Sequence, residues 1–220
     1  MGQPTHRRNP MKIGIIGAGF VGRTLGKLAA QAGHEVMLSN SRGPHTLYST
    51  RPGTGCQIGT VSEAIAFADV VVVAIPLQAY RTLPAEALAG KLVIDTCNYY
   101  PERDGLFPEL ERHETTTSEL VAAHLSGSRI VKAFNAIKMG DMETDGRTAG
   151  HAERRALPLA GDDADDKALV AALYEQFGFD VVDAGPLATG SAFERGTPPY
   201  CVPLSQAALR RMLAMPHTPT

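Results

Sequence analysis

The segment Gly17-Ala18-Gly19-Phe20-Val21-Gly22 stands between a β-branched apolar run, Lys12 to Ile16, and a stretch with helical periodicity. A strand that turns through three glycines into a helix leaves few folds open. Gly17 permits the tight turn, Gly19 has no side chain to block a pyrophosphate, and Gly22 lets the helix pack on the sheet. The helix start adds unpaired N–H groups and the positive end of a dipole. Val21, Leu25, Leu28, Ala29 and Ala32 fall on one helical face, Gly33 ends the helix, and a second strand runs from Glu35 to Ser39. The reading is a βαβ unit that binds a dinucleotide; a glycine turn without a ligand is the alternative.

Which dinucleotide depends on the end of the second strand. An NAD site usually carries an Asp or Glu about 20 residues past the glycines, accepting from the ribose hydroxyls. This chain has Ser39-Asn40-Ser41-Arg42-Gly43 there, with no carboxylate to repel a 2′-phosphate. Ser41 offers a hydroxyl and Arg42 a permanently charged planar fork. Asn40, Ser41 and Arg42 are therefore candidate residues for NADP(H). The competing reading is a turn shaped by Asn, Ser and Gly, with Arg42 a solvated cation.

At 220 residues the chain is long enough for one sizeable α/β core and short for two. A formal charge of −2 offers no general attraction to nucleic acid or to an anionic membrane, so neither is an expected partner. Cys56, Cys97 and Cys201 form no C-x-x-C pair, which points away from a disulfide framework or a zinc site and fits a reducing cytoplasm. His6, Arg7 and Arg8 precede the first strand, but glycines and charges interrupt the apolar run that follows. Residues 1–10 read as a disordered extension instead of a signal peptide. No stretch reaches the roughly 18 apolar residues of a membrane span.

Beyond the first unit, strands and helices continue to alternate, the pattern of a doubly wound, mostly parallel sheet. Cys56 to Thr60 reads as a short third strand and Ser62 to Ala68 as a short helix. Val70 to Ile75 is the fourth strand, Leu92 to Asp95 the fifth, Thr117 to Leu125 a helix and Ile130 to Phe134 the sixth strand. In the usual 3-2-1-4-5-6 order the loops after the first and fourth strands flank one crevice. Ala74, Ile75 and Pro76 would then form a dry wall beside the nicotinamide, although Pro76 also terminates a strand by itself. Asn98 and Asn135 end the next two strands on the same rim, where they can meet the carboxamide or the second substrate, or merely satisfy loop backbone. Cys97 has no evident base beside it in sequence, which argues against a nucleophile.

Gly140 to Arg155 reads as a polar, exposed connection. A strand at Ala156 to Ala160 follows, then a helix opened by Asp162, Asp163, Asp165 and Asp166, a short strand at Val181 and Val182, and a terminal helix from about Leu204 to Leu213. The four acids lack calcium-loop spacing and are better explained as caps. Residues 11–140 thus read as a dinucleotide-binding domain and 150–215 as a small α/β extension capping the same core.

The ordered set Met11 to Gly19, Ser39 to Arg42, Asp95-Thr96-Cys97-Asn98-Tyr99-Tyr100, Val131-Lys132-Ala133-Phe134-Asn135, Ala160-Gly161-Asp162-Asp163 and Gly178 to Leu187 resembles the coenzyme F420-dependent NADP oxidoreductase family. The resemblance runs from about Met11 to Tyr200. It implies a compact, dimeric reductase in which NADP(H) stacks against a deazaflavin and hydride passes between them without a protein acid or nucleophile. By position it implies Gly17, Ala18, Gly19, Phe20 and Val21 at the pyrophosphate and Ser41 and Arg42 at the 2′-phosphate. Ile75, Pro76, Asn98, Asn135 and Ala136 fall at the nicotinamide, with Gly185 to Tyr200 enclosing the acceptor. Flavins, quinones, imines or ferric chelates are other possible acceptors, and a redox sensor that binds NADP(H) without turnover is the alternative function. The chain is too short for the helical C-terminal domain of longer dehydrogenases and pyrroline-carboxylate reductases. Lys132, inside a strand, is a poor match for a catalytic lysine.

Overall fold

The computed structural model describes residues 10–215. The extension expected over residues 1–10 falls, apart from Pro10, outside the described residues. The strands are β1 (Lys12–Ile16), β2 (Glu35–Ser39), β3 (Gln57–Ile58), β4 (Val70–Val73), β5 (Leu92–Asp95), β6 (Arg129–Ala133), β7 (Ala156–Gly161) and β8 (Asp180–Asp183). They form one sheet in the order β3-β2-β1-β4-β5-β6-β7-β8. The first six strands are parallel, β7 runs antiparallel to β6, and β8 runs parallel to β7. This is the doubly wound α/β fold, with β7 and β8 extending the sheet beyond β6.

The longer helices are α1 (Phe20–Gln31), α2 (Val61–Phe67), α3 (Thr117–His124), α4 (Met139–Thr144), α5 (Ala164–Gln176) and α6 (Gln206–Leu213). They cover both faces, which explains why β4 is four consecutive valines, all buried. Val70 and Val72 pack with Leu25 and Ala29 of α1 and Val170 and Leu173 of α5. Val71 and Val73 turn to the other face, toward Ile65 of α2 and Val121 of α3. Each fully buried valine contributes roughly 1.5–3 kcal/mol relative to exposure, so the two-faced strand anchors the middle of the sheet.

Helix boundaries follow their capping residues. Thr60 opens α2 through a capping box with Glu63, Thr116 opens α3 with Glu119, and Ser205 caps α6. Asp163 caps α5 by accepting from the backbone N–H groups of Asp165 and Asp166, the capping role read from the acid cluster. Ala32, expected on the buried face of α1, is exposed, because the helix meets the sheet through Gly22, Thr24, Leu25, Gly26 and Ala29. The connection expected to be exposed between Gly140 and Arg155 differs more. Met142 of α4 is buried in the core, and Arg154 and Arg155 at the end of the connection are buried among acids of α4, α5 and β8. Its polar composition conceals ion-paired arginines that lie inside. Among the described residues no helix is long and apolar enough to cross a membrane.

Candidate functional site

The glycine turn joins β1 to α1, and its three glycines meet three different surroundings. Gly17 has φ +110°, and a β-carbon there would lie 2.2 Å from the carbonyl oxygen of Ala74. A β-carbon on Gly22 would lie 1.9 Å from the carbonyl oxygen of Gly17, whereas one on Gly19 would meet nothing within 4 Å. Gly17 and Gly22 are thus required by packing, and Gly19 faces open space. Gly19 is also the N-cap of α1; no side chain caps the helix and no acid lies in its first turn. An uncapped N-terminus behind an open glycine has the shape and the field that favour an anion. Ala18 and Val21 are partly buried against the core, and Phe20 stands 59% exposed beside the opening.

Contacts along the carboxyl ends of the strands carry the site across the sheet. The Gly17 amide donates to the Ser39 carbonyl (3.0 Å), linking the turn to the end of β2. There Asn40 organises the loop: its Oδ1 accepts from the Arg42 amide (3.0 Å) and its Nδ2 donates to Thr46 Oγ1 (2.9 Å). Ser41 and Arg42 are left exposed, and Arg42 has no ion pair among the described residues.

On the other side, Ala74 and Ile75 press against Gly17, and Pro76 is exposed. The Cys97 thiol donates to the Ile75 carbonyl (3.3 Å), which ties the loop after β4 to that after β5. Burial, aided by the negative charge of Asp95, pushes the Cys97 thiol far up, so it stays protonated and unreactive. Asn98 and Asn135 then bridge β5 to β6. Asn98 Nδ2 donates to the Asn135 carbonyl (3.0 Å), and Asn135 Nδ2 donates to Asn98 Oδ1 (3.1 Å) and to the Phe193 carbonyl (3.2 Å). Asn135 Oδ1 is buried without a hydrogen-bond partner among the described residues. Ala136 is buried beside it, its carbonyl accepting from the Cys201 amide (3.2 Å).

All fourteen sequence-named residues therefore lie along one rim, ordered from β2 through β1, β4 and β5 to β6.

Sequence reasoning missed a group at the β5–β6 end. The Tyr100 ring carries the guanidinium groups of Arg103 and Arg195, each 4.8 Å from its centroid, and its hydroxyl pairs with that of Tyr200 at 2.6 Å. Arg195 forms a two-pronged bond with Glu102 (2.9 and 3.1 Å). These contacts lay residues 187–201 on the rim. Lys132 is fully buried and paired with Glu194 at 3.0 Å. A lysine between Val131 and Ala133 in a buried strand was the available signal, since such a charge requires a partner.

Residues 12–99 match the family described as NADP oxidoreductase, coenzyme F420-dependent. Among solved structures, the chain is similar to a hypothetical protein of Sinorhizobium meliloti at 28% identity and TM-score 0.78, covering 90% of this chain and 96% of that one. It is similar to a candidate F420-dependent NADP-reductase from Arthrobacter sp. FB24 at 29% identity and TM-score 0.70, covering 82% and 87%. Mycobacterium tuberculosis 3-hydroxyisobutyrate dehydrogenase, at 19% identity and TM-score 0.60, shares the fold over 84% of this chain and 57% of its own. No curated protein matches the chain. Residues 12–99, the part of the chain that matches this family, hold the glycine turn and the strand ends beside it.

Proposed function

We propose that this chain is an NADPH-dependent reductase that passes hydride to a small planar acceptor such as a deazaflavin or a flavin. The observation that carries the reading is Gly19, open to solvent at an uncapped helix start. NADPH, when bound, supplies the hydride. The first turn of α1 receives the pyrophosphate, and the side chains of Ser41 and Arg42 are free to take a 2′-phosphate. Ile75 and Pro76 offer an apolar wall that keeps water from the transfer. Asn135 Oδ1, buried and unpaired, suits the N–H of a carboxamide. The residues thus fit a nicotinamide cofactor from one end to the other. The chain's contribution is then orientation, worth effective molarities on the order of 10⁵ M in well-aligned systems.

A second reading, an NADP(H) sensor without turnover, draws on the seating of residues 187–201 against Asn135 and Tyr100. One assay separates the two. The pure protein is mixed with NADPH and a panel of acceptors, among them the deazaflavin, FMN and a ferric chelate, and the nicotinamide absorbance is followed. Oxidation above the acceptor-only rate supports the reductase; tight NADPH binding with no oxidation by any acceptor supports the sensor.

A further inference from the structure

We propose that Lys132 and Glu194 are positioning residues: their ion pair, fully buried at the lysine end, pins the strap formed by residues 187–201 across the ends of β5 and β6 and so sets the nicotinamide-side wall. The proposal rests on the reductase reading for what that wall does.

No atom of the Lys132 side chain is exposed, so it cannot touch a substrate and acts only through what it holds. Its Nζ donates to the Cys97 carbonyl (3.2 Å), Thr117 Oγ1 (2.7 Å) and Ser118 Oγ (3.2 Å), and reaches Glu194 Oε1 at 3.0 Å. Three of these groups, from the β5 loop and the start of α3, are in place without the strap; the fourth belongs to the strap itself. Glu194 Oε1 also accepts from the Thr117 amide (3.1 Å) and hydroxyl, placing its charge on the first turn of α3 where the helix dipole favours it. The strap's backbone lies directly on the lysine stem, since a β-carbon on Gly190 would come within 2.6 Å of Lys132 Cδ.

The consequence lies one residue away. Phe193 is fully buried with Ala136 and Ala160, and its carbonyl accepts from Asn135 Nδ2. That bond and the one to Asn98 engage both Asn135 N–H groups, which leaves Oδ1 as the free end of the amide. The position of Glu194 therefore fixes the Phe193 carbonyl and, through it, which end of the Asn135 amide is presented. An apolar pair would fill the same space, but it would lack the directional bonds that fix the strap's register.

The test uses the full chain with E194Q, which keeps length and loses charge, and G190A, which keeps both charges and lifts the strap off the lysine stem. Folding is checked by circular dichroism. NADPH is titrated by its fluorescence, which reads affinity and, separately, the emission of the bound nicotinamide; trypsin cleavage after the exposed Arg195 reads the strap.

In each folded variant, cleavage is expected to quicken by about tenfold or more and the bound emission to move toward that of free NADPH, while affinity stays within about threefold. For any acceptor that the wild type reduces, its KM rises while that for NADPH holds. Wild-type cleavage and emission in either folded variant overturn the proposal, as does a loss of NADPH affinity with no change at the strap. A wild-type protein that binds NADPH but oxidises it with no acceptor defeats the reductase reading alone, and cleavage and emission still decide the pin.

Discussion

A β-carbon on Gly22 would stand 1.9 Å from the carbonyl oxygen of Gly17, so the first turn of α1 and the turn that precedes it share one space. Gly19, between them, has open space and an ordinary φ of −72°. The same substitution is therefore expected to act on stability at two glycines and on binding at the third. G17A and G22A should each cost about 3 kcal/mol in denaturant unfolding, through overpacking and, at Gly17, a strained φ. G19A should fold within about 0.5 kcal/mol of wild type and bind NADPH at least about tenfold more weakly. Unfolding of G19A, or full NADPH affinity in it, would contradict the assignment.

Cofactor choice is expected to rest on Arg42. R42A should weaken NADPH by about ten- to a hundredfold, the worth of a charged hydrogen bond of roughly 1.5–3 kcal/mol, and leave NADH nearly unchanged. Isothermal titration with both cofactors checks this. Equal losses would reassign Arg42 to the solvated loop around Asn40.

Asn98 and Asn135 exchange two hydrogen bonds, so their truncations should not add. A double-mutant cycle with N98A and N135A is expected to return a coupling of about 1 kcal/mol in unfolding free energy. Simple additivity would mean that the pair does not hold the β5 and β6 loops together.

Burial by itself would raise the Glu194 carboxyl, but the Lys132 charge and the Thr117 donors outweigh it and hold it below the usual range. A carboxylate with a folded pKa below its unfolded value, about 4.3, contributes stability that is present above that value and is lost as pH falls through the folded one. E194Q has no such titration. Its deficit against wild type, about 3 kcal/mol at pH 7, should shrink on acidification below pH ~4.3, as urea melts at a series of pH values would record. A deficit independent of pH would remove the charge from the account.

The valines of β4, the glycine turn and the acid cluster that caps α5 were legible in the sequence because each signal is local: a period, a spacing, a side chain that reaches its own backbone. The expectation for Arg42 likewise came from a local signal, a missing carboxylate at the end of β2. Lys132 and Glu194 were not paired there, since a bond between distant segments leaves no mark in the residues around either. Met142, Arg154 and Arg155 were misjudged for a related reason: their segment is polar on average, and only the fold shows which of its members turn inward. The direction of β7 was equally hidden, because a strand reads the same whichever way its neighbour runs.

That direction has an electrical consequence. Two strands of this sheet, β1 and β7, lead through a short turn into a long helix, and because β7 runs antiparallel to its neighbour the two helix starts lie at opposite ends of the sheet. The start of α5 is already neutralised by its own Asp163 carboxylate, while that of α1 carries no counter-charge of its own. Of the two helix starts, only that of α1 keeps an uncompensated positive pole, and it lies on the edge of the sheet that also carries Arg42 and Asn135.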